Sequence, residues 1–166
     1  MGRTFPYVGP AEIAASVADG PSESPLRSPG NTTEWIKRYR HEFGRDGCLT
    51  ATFVVDEDGF LRLADRHSEH VACAGGRPVL AAGEVTLRLE GARAVAEEIT
   101  NQSTGYCPDA GSWPAVADAL KRAGIEGPSG YTSAFVFRRC GSCGQINIVK
   151  DQHFVCSVCR AALPAS

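Results

Sequence analysis

The chain has 166 residues, of which 43% are hydrophobic and 22% are charged, and its formal net charge is −2. These values are ordinary for a globular protein, and the length suits one domain that buries its own core without needing a metal to fold. The slightly negative charge disfavours a broad contact with nucleic acid, which usually requires a basic domain. No apolar run approaches the roughly 20 residues of a membrane-spanning helix, so we expect no membrane contact.

The first 47 residues are predicted to form an N-terminal helical segment with a loop rich in proline and serine. Residues 10–18 favour a short helix, and residues 19–31 hold three prolines, two glycines and three serines, which is typical of a loop. A second helix follows, with Thr32 or Thr33 as its predicted N-cap. The apolar face of this helix comprises Trp35, Ile36 and Tyr39.

Residues 48–137 are predicted to form a central domain, because segments of alternating and β-branched residues dominate this region. The predicted strands are residues 49–55, 60–64, 78–89, 95–100 and 131–137, the third being either one long strand or two short ones around Gly83. A helix over residues 113–123 has Ser112 as its predicted N-cap and Gly124 as its end. The expected fold class is α+β, mainly an antiparallel sheet with flanking helices.

Residues 138–164 contain the most specific motif of the sequence, two C-x2-C pairs separated by twelve residues. Two tight turns of this kind supply four thiolates to one tetrahedral metal ion. Residues 145–149 and 153–155 alternate enough to pair as a hairpin between the turns, which predicts a zinc ribbon. We expect one structural Zn²⁺, with a single iron as the alternative that the ligand set leaves open, and we expect His153 to be an exposed residue outside this set. The predicted ligands are Cys140, Cys143, Cys156 and Cys159.

The location of the protein follows from its N-terminus and its cysteines. Residues 1–10 lack the apolar stretch of a secretory signal, so we expect a cytoplasmic protein whose thiols are reduced. The content of alanine, glycine, arginine and proline favours a bacterial source. Outside the C-x2-C pairs, Cys48, Cys73 and Cys107 are expected to be free thiols, the first two packed against apolar neighbours.

Polar side chains concentrate in two further segments, residues 65–70 and residues 100–108. Together they can form a pocket for a nucleotide-like anionic ligand, or an acid–base or second metal site with Glu84, Cys73 or Cys107. Equally, they can bond to loop backbone or face the solvent. The candidate ligand-binding residues are Arg66, His67, Glu69, His70, Ser103 and Tyr106.

The order of these segments resembles a module of plant IQ-motif calmodulin-binding proteins and of some bacterial proteins. The resemblance covers residues 50 to 125, and it is carried by the His–Ser stretch, by the Ala-Gly-Gly and Ala-Ala-Gly motifs that follow it, and by residues 103–108. At two histidine positions of the module this chain has Glu69 and Gly105, and the IQ motif is absent, so calmodulin binding is not implied. The whole chain also resembles an uncharacterised family of bacterial zinc-ribbon proteins, which implies no specific activity.

Three functions follow as hypotheses. The first is a non-catalytic binding or adaptor protein whose partner is another protein, because no nucleophile–base, Walker or HExxH signature occurs. The second is an enzyme or ligand-binding protein that uses the polar segments. The third is nucleic-acid binding through the ribbon, with Phe154 stacking on a base, although the negative net charge disfavours it. The basic residues available for the third are Arg138, Arg139, Lys150 and Arg160.

Overall fold

The computed structural model of the chain describes residues 3–17 and 20–165, and the fold is α+β. A four-stranded antiparallel sheet forms the centre, helices flank it, and a two-stranded hairpin carries the C-terminal cysteines. The predicted fold class is therefore confirmed. In the described part of the chain, no helix combines the length and apolarity that crossing a membrane requires. The elements are α1 (Ala11–Ala15), α2 (Pro29–Tyr39), β1 (Cys48–Val55), β2 (Leu61–Asp65), α3 (His70–Ala74), β3 (Ala81–Glu90), β4 (Arg93–Ile99), α4 (Trp113–Ala123), β5 (Val136–Arg139) and β6 (Ile146–Val149), with 3₁₀ turns at Arg40–Glu42 and Ala110–Ser112.

The central sheet has the strand order β2-β1-β3-β4, and each neighbouring pair is antiparallel. β1 pairs with β2 through Val55 opposite Leu61, and with β3 through Phe53 opposite Gly83. β3 runs through Gly83 without interruption, so the alternative of one long strand is the correct one. The predicted end of α1 at residue 18 lies outside the described residues.

Apolar side chains alternate between the two faces of the sheet, so both faces are buried. Phe53 and Val55 of β1 belong to the larger core cluster, together with Trp35 of α2 and Val116 of α4. Val54 points to the opposite face, where it packs in a second cluster with residues of α3 and of the N-terminal segment. The N-terminal segment therefore shares the core of the central sheet.

α2 begins earlier than predicted, because Ser28 is its N-cap in place of Thr32 or Thr33. The Ser28 hydroxyl accepts a hydrogen bond of 3.3 Å from a backbone N–H of the first turn. Pro29 follows at the first helical position, where the missing N–H of proline has no intrahelical partner to lose. Thr32 is buried and donates to the carbonyl of Ala123, at the end of α4, at 2.7 Å.

α4 has the predicted bounds and ends at Gly124, but Ser112 does not cap it. The Ser112 hydroxyl donates instead to the carbonyl of Asp109 at 2.6 Å and lies 2.6 Å from the hydroxyl of Tyr131. The backbone of Ser112 is already helical, because Ser112 is the last residue of a 3₁₀ turn. Its side chain thus ties this turn to the segment that follows α4.

The chain reaches the ribbon along the outer edge of β4, and the strand predicted over residues 131–137 is mostly irregular. An isolated bridge joins Thr100 to Ser133. The buried side chain of Asn101 holds the end of this path, since its Oδ1 accepts from the N–H of Phe135 at 2.7 Å and its Nδ2 donates to the Phe135 carbonyl at 3.0 Å. Regular pairing begins only with β5.

The hairpin of the ribbon differs from the predicted one. β6 pairs with β5, with Arg138 opposite Asn147, and not with residues 153–155. Of those residues, Val155 forms only an isolated bridge, to Ala162. The reason is that β5 ends directly before the first C-x2-C pair and β6 begins after it, so the first metal-binding turn is itself the hairpin turn.

Candidate metal centre

The sulfurs of the four C-terminal cysteines lie within 4.8 Å of one another, so they can hold one metal ion. Two pairs of sulfurs, each pair from different turns, lie 3.5 Å and 3.6 Å apart. A tetrahedral centre with metal–sulfur bonds of about 2.3 Å has sulfurs about 3.8 Å apart, whereas a disulfide brings them to about 2.05 Å. The spacing therefore fits a shared metal ion. The close pairs are Cys140 with Cys159 and Cys143 with Cys156.

The two C-x2-C turns are built in the same way. In the first, the N–H of Cys140 donates to the carbonyl of Gln145 at 2.8 Å, and the N–H of Gly144 donates back to the carbonyl of Cys140 at 2.9 Å. The second turn repeats both bonds around Cys156, with lengths of 2.8 Å and 3.0 Å. Because the same two bonds close each turn, the regular sequence spacing becomes two equivalent pairs of ligands.

The residue after the second cysteine of each turn has a left-handed backbone. Gly144 has φ of 77° and Arg160 has φ of 67°. Glycine adopts this conformation without a steric penalty, whereas another L-residue pays about 1 to 2 kcal/mol. The second turn is therefore strained at Arg160 in a way that the first turn is not.

Backbone N–H groups favour ionised sulfur in one cysteine of each turn. The N–H of Cys159, helped by that of Val158, lowers the pKa of Cys156 to about 6. The N–H of Cys143 has the same effect on Cys140 and lowers its pKa. Hydrogen bonds to the charged form stabilise it, and the thiolate is the form that binds metal. Each turn therefore contains one cysteine whose sulfur is favoured as the metal-binding thiolate.

Asn147 supports the centre from β6, and the sequence analysis did not identify it. Its side chain is buried and donates from Nδ2 to the sulfur of Cys156 at 3.5 Å and to the carbonyl of Gln145 at 3.0 Å. Its Oδ1 accepts from the N–H of Ser157 at 2.9 Å. The sequence feature that could have identified Asn147 is a polar residue between two isoleucines, at the inward position of a short strand.

The centre lies at the surface with one side covered. Cys140 and Cys156 are buried against Leu163, whereas Cys143 and Cys159 are exposed. A bound ion would therefore have two sulfurs towards the small core of the ribbon and two towards the solvent. All four positions of a tetrahedral shell would be filled by protein sulfur.

The other three cysteines differ in ionisation from Cys140 and Cys156, whose pKa values are lowered. Burial raises the pKa of Cys73 to about 12 and that of Cys107 to about 11. Cys73 is fully buried, as predicted, but Cys48 is half-exposed and its sulfur lies 3.5 Å from a carboxylate oxygen of Glu97. Desolvation and then this contact raise the pKa of Cys48 as well. All three favour the neutral thiol, which is a poor nucleophile and a poor ligand.

His70, a candidate of the predicted ligand pocket, begins α3 and contacts backbone. Its Nε2 lies 2.8 Å from the carbonyl of Gly83, and a carbonyl can only accept, so Nε2 carries the proton. Burial lowers the pKa of His70, and the opposing effects of the Gly83 carbonyl and of Glu84 and Glu69 do not cancel it. The described contact is therefore a structural one between α3 and β3.

Ser103 and Tyr106 are buried in the loop after β4. The Ser103 hydroxyl accepts from the N–H of Tyr106 at 3.3 Å, and the Tyr106 hydroxyl donates to the carbonyl of Arg77 at 2.8 Å. Both polar groups thus have backbone partners. These contacts stabilise the loop and its packing against the N-terminal segment.

Arg66, His67 and Glu69 are exposed. Five surface cavities of about 210 to 500 Å³ occur in the described part of the chain, and residues 66–70 line none of these five. The six candidate ligand-binding residues are therefore not brought together around any of these cavities. Their ligand-binding role stays a prediction.

The four basic residues of the ribbon do not share one surface. The guanidinium of Arg138 donates to the carbonyls of its neighbour and of two C-terminal residues, and that of Arg139 donates to the carbonyl of Gly144 at 2.8 Å. Lys150 and Arg160 line one cleft, whereas Arg138 and Arg139 line another. Two arginines thus hold the ribbon together, and two basic side chains remain available to a partner.

Comparison of the chain with protein-family models, with curated proteins and with solved structures finds no match. The resemblances to the IQ-motif module and to bacterial zinc-ribbon proteins therefore stay predictions. Function has to be inferred from the chemistry of this chain, in which the all-sulfur cluster is the most specific feature.

Proposed function

We propose that the chain is a zinc-ribbon binding protein, in which the metal is structural and the partner is another protein. The observation that carries this proposal is the closed set of four cysteine sulfurs, held by two equivalent turns. Zinc is the metal that we propose, since soft thiolates in a tetrahedral array suit it and since it is redox-inert. A reducing compartment such as the cytoplasm would preserve the thiolates.

The centre supplies rigidity and no chemistry of its own. A catalytic zinc keeps an open position for water or substrate, and here protein sulfurs occupy all four. The metal would cross-link β5, β6 and the C-terminal turn, in addition to the β5–β6 pairing and the hydrogen bonds of Arg138 and Asn147. The small core of the ribbon consists of Cys140, Cys156 and Leu163 with partly buried neighbours. A metal-dependent surface element of this kind suits recognition.

Exposed apolar side chains on and beside the ribbon support a protein partner. Among the described residues, the large hydrophobic side chains with most exposure are Val158 at 65%, Val136 at 42% and Val8 at 37%. Val158 lies within the second metal-binding turn and Val136 begins β5. The carbonyl of Val8 lies 3.5 Å from the guanidinium of Arg139, which places the third beside the ribbon. All three lie on or beside the ribbon, where a protein partner would cover them.

The two alternative functions have less support. For an enzyme or anion-binding site, the partners of His70, Ser103 and Tyr106 are backbone groups. For nucleic acid, Phe154 packs against the cysteines of the ribbon core and is not presented for base stacking.

Affinity capture with three versions of the full chain tests the proposal. Wild type and the Arg66→Ala, His67→Ala double variant should capture the same protein partner, because those two side chains are exposed and outside the ribbon. Cys143→Ser should lose zinc and the partner while the central sheet, which has its own core, stays folded. Capture that survives Cys143→Ser would refute the proposal. Turnover of a nucleotide substrate that the double variant loses would replace it with the enzyme function.

A further inference from the structure

A cleft of about 500 Å³ opens between β6 and residues 153–157 of the ribbon, and Thr104 of the loop after β4 also lines it. Its apolar lining comes from alternate positions of β6 and from the facing segment, and its charged lining comes from the turns at either end. The apolar residues are Ile146, Ile148 and Val155, and the basic or ionisable ones are Lys150, His153 and Arg160.

The charge of the cleft is opposite to that of the rest of the protein. No aspartate or glutamate is among its lining residues. The ribbon, residues 138–164, has four basic side chains and one acidic side chain, Asp151, although the whole chain has a net charge of −2. Charge that is segregated in this way attracts an anionic partner to one place and repels it from the rest of the surface.

The shape of the cleft suits an extended chain. In the described part of the chain the ribbon hairpin has two strands, so β6 has β5 on one side and no described strand on the other. Residues 153–157 lie across the cleft and have no described ladder pairing with β6: Val155 bridges Ala162, and the contacts of Cys156 and Ser157 with β6 go through the side chain of Asn147. A peptide added along an open strand edge gains backbone hydrogen bonds and places alternate side chains on the two faces.

The lining favours a peptide over a nucleic acid. Single-stranded nucleic acids are usually held by aromatic side chains on which the bases stack, and no aromatic residue lines this cleft. Phe154, the nearest aromatic in sequence, belongs to the ribbon core. Two alternating isoleucines between basic ends match a peptide in which apolar and acidic residues alternate.

We propose that the cleft between β6 and residues 153–157 binds an extended acidic segment of the partner protein as an added strand. This inference rests on the proposed function of the ribbon as a binding element. It adds the location of the contact, the charge of the ligand and its backbone conformation. Lys150 and Arg160 would pair with the acidic side chains of the segment, while Ile146 and Ile148 contact its apolar ones.

Fluorescence anisotropy with the zinc-loaded full chain tests this proposal. The probe is a labelled peptide of about six residues in which glutamate and valine alternate, a length close to that of an average strand. We compare it with a peptide that has lysine in place of glutamate, with the acidic peptide methylated at alternate backbone nitrogens, and with a labelled oligothymidylate. The acidic peptide should bind at least about tenfold more tightly than each of the other three.

Charge reversal locates the contact. Lys150→Glu with Arg160→Glu should weaken peptide binding by about tenfold or more, since two attractive pairs become repulsive. Lys150→Glu alone, distant in sequence from the cysteines, should weaken it by a smaller factor and protects the test against misfolding at Arg160. The matched control is Arg45→Glu with Arg66→Glu, which changes the net charge equally at exposed positions outside the cleft.

Several results would overturn the inference. Among them are equal losses in the cleft and control variants, unchanged binding of the methylated peptide, and tighter binding of the oligothymidylate. The same holds if none of the probes binds to the wild-type chain. If a zinc-loaded chain captures its protein partner equally well with and without Lys150→Glu, the proposed function stands and this inference fails. A chain that holds no zinc would refute the proposed function itself.

Discussion

Replacing Asn147 with alanine should weaken zinc binding more than any other substitution outside the cysteines. The side chain is buried and makes hydrogen bonds to the sulfur of Cys156, to the carbonyl of Gln145 and to the N–H of Ser157. The Asn147→Ala variant loses all three, although Gln145 and Ser157 are exposed and the carbonyl of Gln145 keeps its bond from the N–H of Cys140. Each neutral bond contributes about 1 kcal/mol and a bond to an ionised group contributes more, but water can replace the bonds to the exposed residues, so the loss should be about 2 to 3 kcal/mol.

This free energy corresponds to a loss of roughly 30- to 150-fold in zinc affinity, close to the 10- to 100-fold range typical of groups that support metal ligands. Competition with a chromophoric chelator at fixed pH measures it. Asn147→Asp provides a sharper comparison, because it keeps the shape and the acceptor but replaces the donor to the Cys156 sulfur with a carboxylate. It should bind zinc more weakly than Asn147→Ala.

The control is Gln145→Ala, whose exposed side chain bonds only to the carbonyl of Ile146 among the described contacts. Its zinc affinity should stay within about threefold of wild type, because exposed hydrogen bonds contribute little. The reasoning is refuted if Asn147→Ala also stays within this range. It is refuted equally if the aspartate variant binds more tightly than the alanine variant.

Three further predictions follow from the described geometry. Gly144→Ala should weaken zinc binding and Arg160→Gly should strengthen it, each by roughly 1 kcal/mol, because both positions have positive φ; similar affinities for the two variants would contradict this. The free energy of unfolding should fall as the pH drops from about 7 to about 5. The pKa of His70 is lower in the folded chain than its usual value of 6.5, so neutral His70 stabilises the fold fully above pH 6.5 and progressively less below it. Denaturant titrations at several pH values should show a flatter profile for His70→Gln than for the wild-type chain. Cys73, whose pKa burial raises to about 12, should react with iodoacetamide only in denaturant; mass mapping of alkylation in the native protein checks this.

Much of the fold was predictable because local patterns in this chain agree with its tertiary contacts. The alternation over residues 49–55 gave β1, and the apolar face of α2 gave the burial of Trp35 and Ile36. The start of α2 was missed, because three hydroxyl residues near it can each cap a helix. The Thr32 hydroxyl is already engaged in a buried hydrogen bond to the end of α4, and only the three-dimensional structure shows this bond.

The pairing inside the ribbon was not predictable from alternation. Residues 145–149 have two possible partners of similar pattern, one on each side in sequence. The choice depends on the metal-binding turn, which brings β5 back against β6 through the bonds at Cys140. Closure of this turn depends on the three-dimensional backbone, and the hydrophobic pattern of the sequence does not predict it.

The candidate sites show the same contrast. The spacing of the four cysteines specifies the metal cluster, because two tight turns are the only geometry needed to gather the sulfurs. By contrast, His70, Ser103 and Tyr106 are polar residues in a glycine-rich region, and such residues satisfy buried backbone as readily as they bind ligands. Asn147 was missed for the opposite reason, since a single asparagine in an apolar strand gives no motif.

Native mass spectrometry of the purified chain tests the central claim most directly. The account predicts one zinc ion per chain, with the four cysteines of the ribbon protected from alkylation until a chelator removes the metal. The mass distinguishes zinc from iron and from a disulfide-bonded, metal-free chain. A folded chain that contains no metal, or one that contains iron in this centre, would contradict the account.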